Sequence, residues 1–241
     1  MTTPAAFKVH PALALAFAAA RGFGVVVACD GGRAVAATLP FLLIEADGKS
    51  PRVAFHVARA NPLAALAAKG ATWLLAVSGA DVYVSADWYA SRDQVPTWLY
   101  ETVQLSGPVH VVPAADAAAH LDALTARFEV ALAPKPACSS GRLAPAWSSE
   151  RLAPQRMEKL TQAIVAIEML VETVASKFKL NQHKTDADHV AVANALGRQD
   201  DRGARAIATR MVALRPHLLY EERGAVSVHD SGASPSQGGG I

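Results

Sequence analysis

The chain has 241 residues, 51% of them hydrophobic and 18% charged, and its 23 lysines and arginines nearly balance 21 aspartates and glutamates. That length can bury a full core unaided, and two cysteines, Cys29 and Cys138, exclude a disulfide framework or a zinc cluster built on cysteine pairs. A formal charge of +2 excludes a surface given over wholesale to nucleic acid.

In chain order, the apolar run at 11–20 resembles a secretory core, but His10-Pro11 breaks its start and Arg21-Gly22 ends it. It reads instead as a helix opened by Pro11. No stretch approaches the roughly 18 to 20 apolar residues of a membrane span, so a cytoplasmic protein without a membrane segment is expected. A β-branched strand over 23–29 ends in Asp30-Gly31-Gly32, a hairpin signal, and a second strand over 34–43 holds Pro40, which belongs at an edge or bulge. Residues 44–49 form a turn and 52–57 a third strand, after which Asn61-Pro62 caps and opens a helix to Lys69-Gly70. Strands over 72–77 and 81–84 flank Ser78-Gly79-Ala80, read as a short hairpin loop, and 97–112 reads as a long strand interrupted at Gly107-Pro108. Five or six short strands, close turns and one intervening helix predict a mainly β protein with α-helices, built on a small closed barrel.

Residues 114–132 are helical, with Leu121, Leu124, Phe128 and Leu132 at spacings of three and four. The Pro- and Ser-rich stretch 133–154 reads as a linker, dividing a core at 1–132 from 155–223. Residues 155–164 look helical, whereas 166–180 fits a helix by Leu160, Ile164, Ile167, Val171, Val174 and Phe178, and a strand by its β-branched residues and the alternation at 177–180. Helices follow over 186–196 and 204–220, and the glycine-rich tail 224–241 is too polar to order itself.

Three groups of residues carry candidate chemistry. His56, Arg59 and Asn61 sit where a strand enters a helix, so the first-turn amides and a forked guanidinium suit a phosphate, although a helix cap and a solvated arginine are the commoner source of such a pattern. Trp73, Tyr83, Trp88, Tyr89, Trp98 and Tyr100 crowd one segment, leaving only Trp147 and Tyr220 elsewhere; this suits a planar-ligand platform, an interface or a barrel core. The run 176–184, from Ser176 through Lys177 and Lys179 to Lys184, is either a solvated face or an anion site. No glycine-rich phosphate loop or nucleophile elbow is present, and the eight histidines show no metal spacing beyond a weak His183/His189 pair, so no metal site is expected.

Five ordered blocks go further: Thr38-Leu39-Pro40-Phe41-Leu42-Leu43, the run from His56 to Pro62, Tyr83 to Tyr89, Val95-Pro96-Thr97-Trp98, and Lys177 to Gln182. In order and spacing they resemble the PaiB-like family, described as FMN-binding negative transcriptional regulators. The resemblance implies an FMN-binding split β-barrel with flanking and C-terminal helices, a homodimer with FMN near the subunit interface, and a late barrel strand over 167–180. Carried over, it assigns Thr38, His56, Arg59, Asn61, Trp88, Tyr89, Trp98, Lys179 and Gln182 to the cofactor and no catalytic residue. Leu99 stands where the family has Asn, Gln104 near a family His, Ser176 for Gly, Phe178 for a frequent Trp and Asn181 for Ser.

Two alternatives accompany this reading, a flavin-dependent or haem-related oxidoreductase on the same barrel and a cofactor-free dimeric scaffold. DNA enters as a partner through the family label alone. The helices at 186–196 and 204–214 could be forced into a helix-turn-helix with Arg198, Arg202, Arg205 and Arg210 as phosphate contacts, but their connection is too long and carries Asp200-Asp201.

Overall fold

A computed structural model describes residues 3–45, 50–130, 132 and 148–221. Helix α1, Pro11–Arg21, has Pro11 in its first turn and ends on Gly22, whose φ of 58° is the left-handed cap that glycine adopts without strain. Strands β1, Phe23–Asp30, and β2, Arg33–Pro40, pair antiparallel from Asp30↔Arg33, with Gly31 and Gly32 both at positive φ between them. That is the turn whose twist matches the flanking strands. Pro40 ends the edge strand β2, as a residue without an amide hydrogen should. Phe41 breaks the extended segment, and β3 follows at Leu42–Ile44. Strand β4 spans Arg52–Ala58 and helix α2 Pro62–Ala67.

The expected hairpin at Ser78-Gly79-Ala80 does not form. Strand β5 runs unbroken over Thr72–Val84, and both halves pair with β6, Thr97–Val111, across a bulge between Ser78 and Asp81. Gly79 serves packing rather than a turn, since a Cβ there would lie 2.8 Å from the Phe17 ring of α1. The expected interruption at Gly107-Pro108 is likewise a corner within one strand. Residues Thr97–Pro108 pair with β5, whereas Val109–Val111 pair with β7, Ile164–Leu170. A Cβ on Gly107 would lie 1.7 Å from the Leu170 carbonyl oxygen, so the close crossing excludes any side chain.

The ambiguous segment is strand, but two strands rather than one. Strand β7 pairs with β4 and the end of β6, and β8, Thr173–Lys179, pairs with the first part of β6. The Val171 amide donates to the Pro51 carbonyl and the Glu172 amide to the Ser106 carbonyl, both at 2.9 Å, as the chain crosses over β6. The sheet order is β2-β1-β5-β6-β7-β4-β3, all antiparallel. Its two ends, β2 and β3, are consecutive pieces of one segment joined at Phe41, so the path closes into a six-armed barrel with β8 added outside. Val26, Phe41, Phe55, Trp73, Leu75, Leu105, Ile167 and Met169 fill the buried interior.

Helices α3, Ala117–Glu129, and α4, Pro154–Gln162, lie beside β4 and β7. Helices α5, Asp186–Gly197, and α6, Arg202–Leu214, pack on each other, and α6 on β5. Helix α6 stops at Leu214, short of the expected 220, because Pro216 supplies no amide hydrogen and restricts Arg215. Three of the four arginines considered for DNA face acids instead: Arg198 bonds Glu221, Arg205 lies 2.9 Å from Asp200 and Arg210 2.8 Å from buried Glu101. The expected linker lies largely outside the described residues, as does the expected tail. Strand β7, beyond that stretch, is an arm of the same barrel, and β8 extends its sheet from β6.

Candidate functional site

Side chains alternate across a strand, so each arm of the barrel sends every second residue outward. Register then aligns those outward residues over five strands. Thr38 of β2 faces Val25 of β1, Val25 faces Ala76 of β5, Ala76 faces Gln104 of β6, and Gln104 faces Ala175 of β8. Parallel rows run Ser78–Thr102–Lys177, Asp81–Tyr100–Lys179 and Tyr83–Trp98. Among the described residues no helix covers the centre of this face, and it keeps large apolar groups in solvent: Trp98 is 53% exposed, Tyr83 49%, Phe23 48% and Val25 37%. Tyr83 and Trp98 meet edge to face at 6.0 Å.

Two adjoining concavities lie along β6. One of about 320 Å³ is lined by Ser78, Asp81, Trp98, Tyr100 and Thr102 among others, and one of about 220 Å³ by Thr3, Tyr100, Thr102, Gln104, Ser176 and Lys177. The Lys177 ammonium sits 5.4 Å from the Tyr100 ring centroid. Lys179 donates to the Thr97 hydroxyl. Burial lowers the pKa of Lys179; Tyr100 opposes that shift, and the neighbouring Lys177 and Lys184 add to it. Three cations within one neighbourhood, one partly desolvated, favour an anion that would relieve their repulsion.

The structure therefore unites Thr38, Trp98 and Lys179 on one face and places the other expected residues elsewhere. His56 lies on the barrel's opposite outer surface, where its Nδ1 is 3.2 Å from Nε2 of His120 on α3. Burial lowers the His56 pKa, and burial together with His56 pushes His120 down to about 4, so both rings are neutral at pH 7. Arg59 donates through Nε to the Gln162 carbonyl at 2.6 Å and through Nη2 to the Ile164 carbonyl at 2.8 Å, fastening the exit of α4. The Asn61 side-chain oxygen accepts from the Leu63 amide at 3.0 Å, which is the helix-cap role.

A third group surrounds the C-terminal helices. Trp88 lines a groove with Asp186, Val190 and Asn194 of α5. Tyr89 is buried with its hydroxyl near the Asn181 side chain and the Lys184 ammonium 5.1 Å from its ring, and its pKa is raised chiefly by burial. Gln182 is spent on backbone, accepting from the Leu180 amide at 2.7 Å and donating to the Ala6 carbonyl at 3.0 Å and to the Phe178 carbonyl. These bonds hold Asn181 at a φ of 58°.

The open face also brings in residues that the resemblance did not assign to the cofactor: Tyr100 and Lys177, from the aromatic and basic runs, together with Thr102 and Gln104. Their strand alternation was the available signal. Gln104, near the position of a family His, projects outward in the central row, whereas Leu99 is fully buried and faces the core. The donor set suits a flavin. Trp98 and Tyr100 offer ring planes, Thr38, Thr102 and Gln104 offer hydroxyl and amide groups for a polar ring edge, and Lys177 and Lys179 offer charge for a phosphate.

A curated relative, the protease synthase and sporulation protein PAI 2 of Bacillus subtilis, is 27% identical over 213 residues, covering 88% of this chain and 96% of its own. Among solved structures, the FAD and heme binding protein from Mycobacterium smegmatis is 19% identical with a TM-score of 0.48, covering 71% of each chain. The flavocytochrome Anf3 from Azotobacter vinelandii is 16% identical with a TM-score of 0.48, covering 83% of this chain and 75% of its own. The family model described as "Putative FMN-binding domain" matches residues 1–173, so the chain belongs to that family, the PaiB-like one that its motifs resemble, with FMN as its cofactor.

Proposed function

We propose that the protein acts as a homodimer in which two copies meet through the open β2-β1-β5-β6-β8 face and hold FMN between them. The observation that carries this reading is the in-register face itself, with Trp98, Tyr83 and Phe23 in solvent beside Lys177 and Lys179. Exposed aromatic clusters of this kind mark interfaces, and a second copy removes this face from water as α3 and α4 do the other side. Bound FMN supplies one- and two-electron redox chemistry. The chain's own part is to place the ring against Tyr100 and Trp98, meet its polar edge with Thr102 and Gln104, and neutralise the phosphate with Lys177 and Lys179. The regulatory role belongs to this reading through the resemblance alone.

Sedimentation velocity and FMN titration together test it. A dimer that quenches FMN fluorescence at one flavin per chain is expected, and Trp98→Glu should yield monomers with FMN affinity reduced at least tenfold. A native monomer, or a Trp98→Glu monomer that binds FMN unchanged, would overturn the assignment.

A further inference from the structure

On the surface away from the open face, His56 borders a partly open cavity of about 190 Å³ lined by Leu121, Asp122 and Thr125 of α3 and by Leu152, Met157 and Ile164 around α4. The volume fixes a size. A dry cavity of about 150 Å³ lined by aliphatic side chains accepts benzene, so this one holds a six-membered aromatic ring with one or two small substituents. The walls fix a charge. Among the described residues no cation lines the space, and its one charged group, the solvent-exposed Asp122 carboxylate, repels an anion; an ion of either sign set among Leu121, Leu152, Met157 and Ile164 would lose its hydration, so the occupant is neutral.

The histidine pair fixes the functional group. His56 Nδ1 and His120 Nε2 lie 3.2 Å apart and share one proton. If His56 donates through Nδ1, its Nε2 is an acceptor; if it accepts there, its Nε2 carries the hydrogen. Among the described residues that Nε2 has no protein partner, and no buried side-chain polar atom is left without one, so Nε2 opens onto accessible space. A hydroxyl both donates and accepts, so it satisfies Nε2 in either tautomer. A carbonyl meets only one of them.

We propose that the cavity between β4, α3 and α4 is a binding site for a small uncharged phenol or aromatic alcohol, with its ring against Leu121, Met157 and Ile164 and its hydroxyl on His56 Nε2. The site is separate from the flavin face, so it stands or falls independently of the proposed dimer.

The test uses p-cresol and toluene, which differ by one hydroxyl, titrated into the full chain with and without added FMN at pH 7.5. Histidine ring signals in NMR report the site, and thermal shift reports binding. Expected are p-cresol-induced shifts of the His56 and His120 rings and an affinity at least fivefold above that for toluene. Met157→Trp, which fills the cavity, should abolish binding of both probes while the variant still binds FMN. His56→Phe, which keeps a ring but no nitrogen, should bind p-cresol no more tightly than toluene. Failure of both probes to bind, binding that survives Met157→Trp, or a p-cresol preference that survives His56→Phe would each overturn the proposal.

Discussion

The barrel has two outer faces that the chain treats in opposite ways. Over β4 and β7 it supplies its own cover in α3 and α4, and there one histidine pair is held neutral: His56 and His120 bond each other and titrate low. Over β2, β1, β5, β6 and β8 none of the described helices covers the centre of the sheet, and Trp98, Tyr83 and Val25 remain in solvent with lysines beside them. Strand pairing is the same on both sides. What differs is whether the chain itself removes the surface from water, and a large apolar surface left bare is where an external partner or ligand gains most from binding.

Gly107 is where the two faces join, and it offers the largest way to break the contrast. Strand β6 serves the open sheet up to Pro108 and the covered sheet beyond it, and the Leu170 carbonyl fills the space of a side chain. Gly107→Val should therefore cost about 4 kcal/mol or more, in the range of severe core disruption, seen as loss of cooperative urea unfolding. A variant with native unfolding would show that the corner is not a strict constraint. Next in size is the charge on the open face. Lys177→Glu replaces an attractive group with a repulsive one beside Lys179, and FMN affinity should fall about 30- to 100-fold, roughly 2 to 3 kcal/mol, in a fluorescence titration. The same exchange should leave the histidine signals of the covered face unmoved.

The covered face answers to pH instead. His120 has an ordinary value of 6.5 and a folded value of about 4, so between these the unfolded chain binds more protons than the folded one. Stability is then complete above about pH 6.5 and is lost as pH falls toward about 4; His56, lowered by burial, acts in the same direction. Allowing for the partial exposure of the rings, the share of His120 is about 1 to 2 kcal/mol. Urea midpoints at pH 7 and pH 5 should differ more for the native protein than for His120→Gln, which keeps a hydrogen-bonding group but does not titrate. Equal differences would remove the neutral pair as the source.

The legible parts of the fold were those governed by local chemistry. The Asp30-Gly31-Gly32 turn, the Pro11 and Pro62 helix starts and the Asn61 cap each depend on a few adjacent residues. Ser78-Gly79-Ala80 misled because a glycine admitting Phe17 from a distant helix reads the same as a glycine turning a hairpin. The strand pair β7 and β8 was masked by a helical spacing of its apolar residues, and only pairing with β4 and β6 resolves it. The site was legible as residue types but not as places. Thr38 and Gln104 share a row through three successive registers, and His56 meets a histidine 64 positions away, which no local spacing reveals. A lone histidine among the apolar residues 53–57 of β4 was the hint.

The smallest effect separates the two faces most sharply, because it falls on a residue that the motif resemblance assigns to the cofactor. Asn61 accepts from the Leu63 amide, and its loss as Asn61→Ala removes one cap from a six-residue helix. That should cost about 1 kcal/mol in urea unfolding. If FMN lies on the open face, the variant binds it with unchanged affinity, since Asn61 sits at the end of β4 rather than among the rows from Thr38 to Lys179. Arg59→Ala extends the comparison, because its Nε and Nη2 are committed to the Gln162 and Ile164 carbonyls. A tenfold loss of FMN affinity in either variant, with stability corrected for, would move the phosphate to the entrance of α2 and make the covered side of the barrel the flavin side.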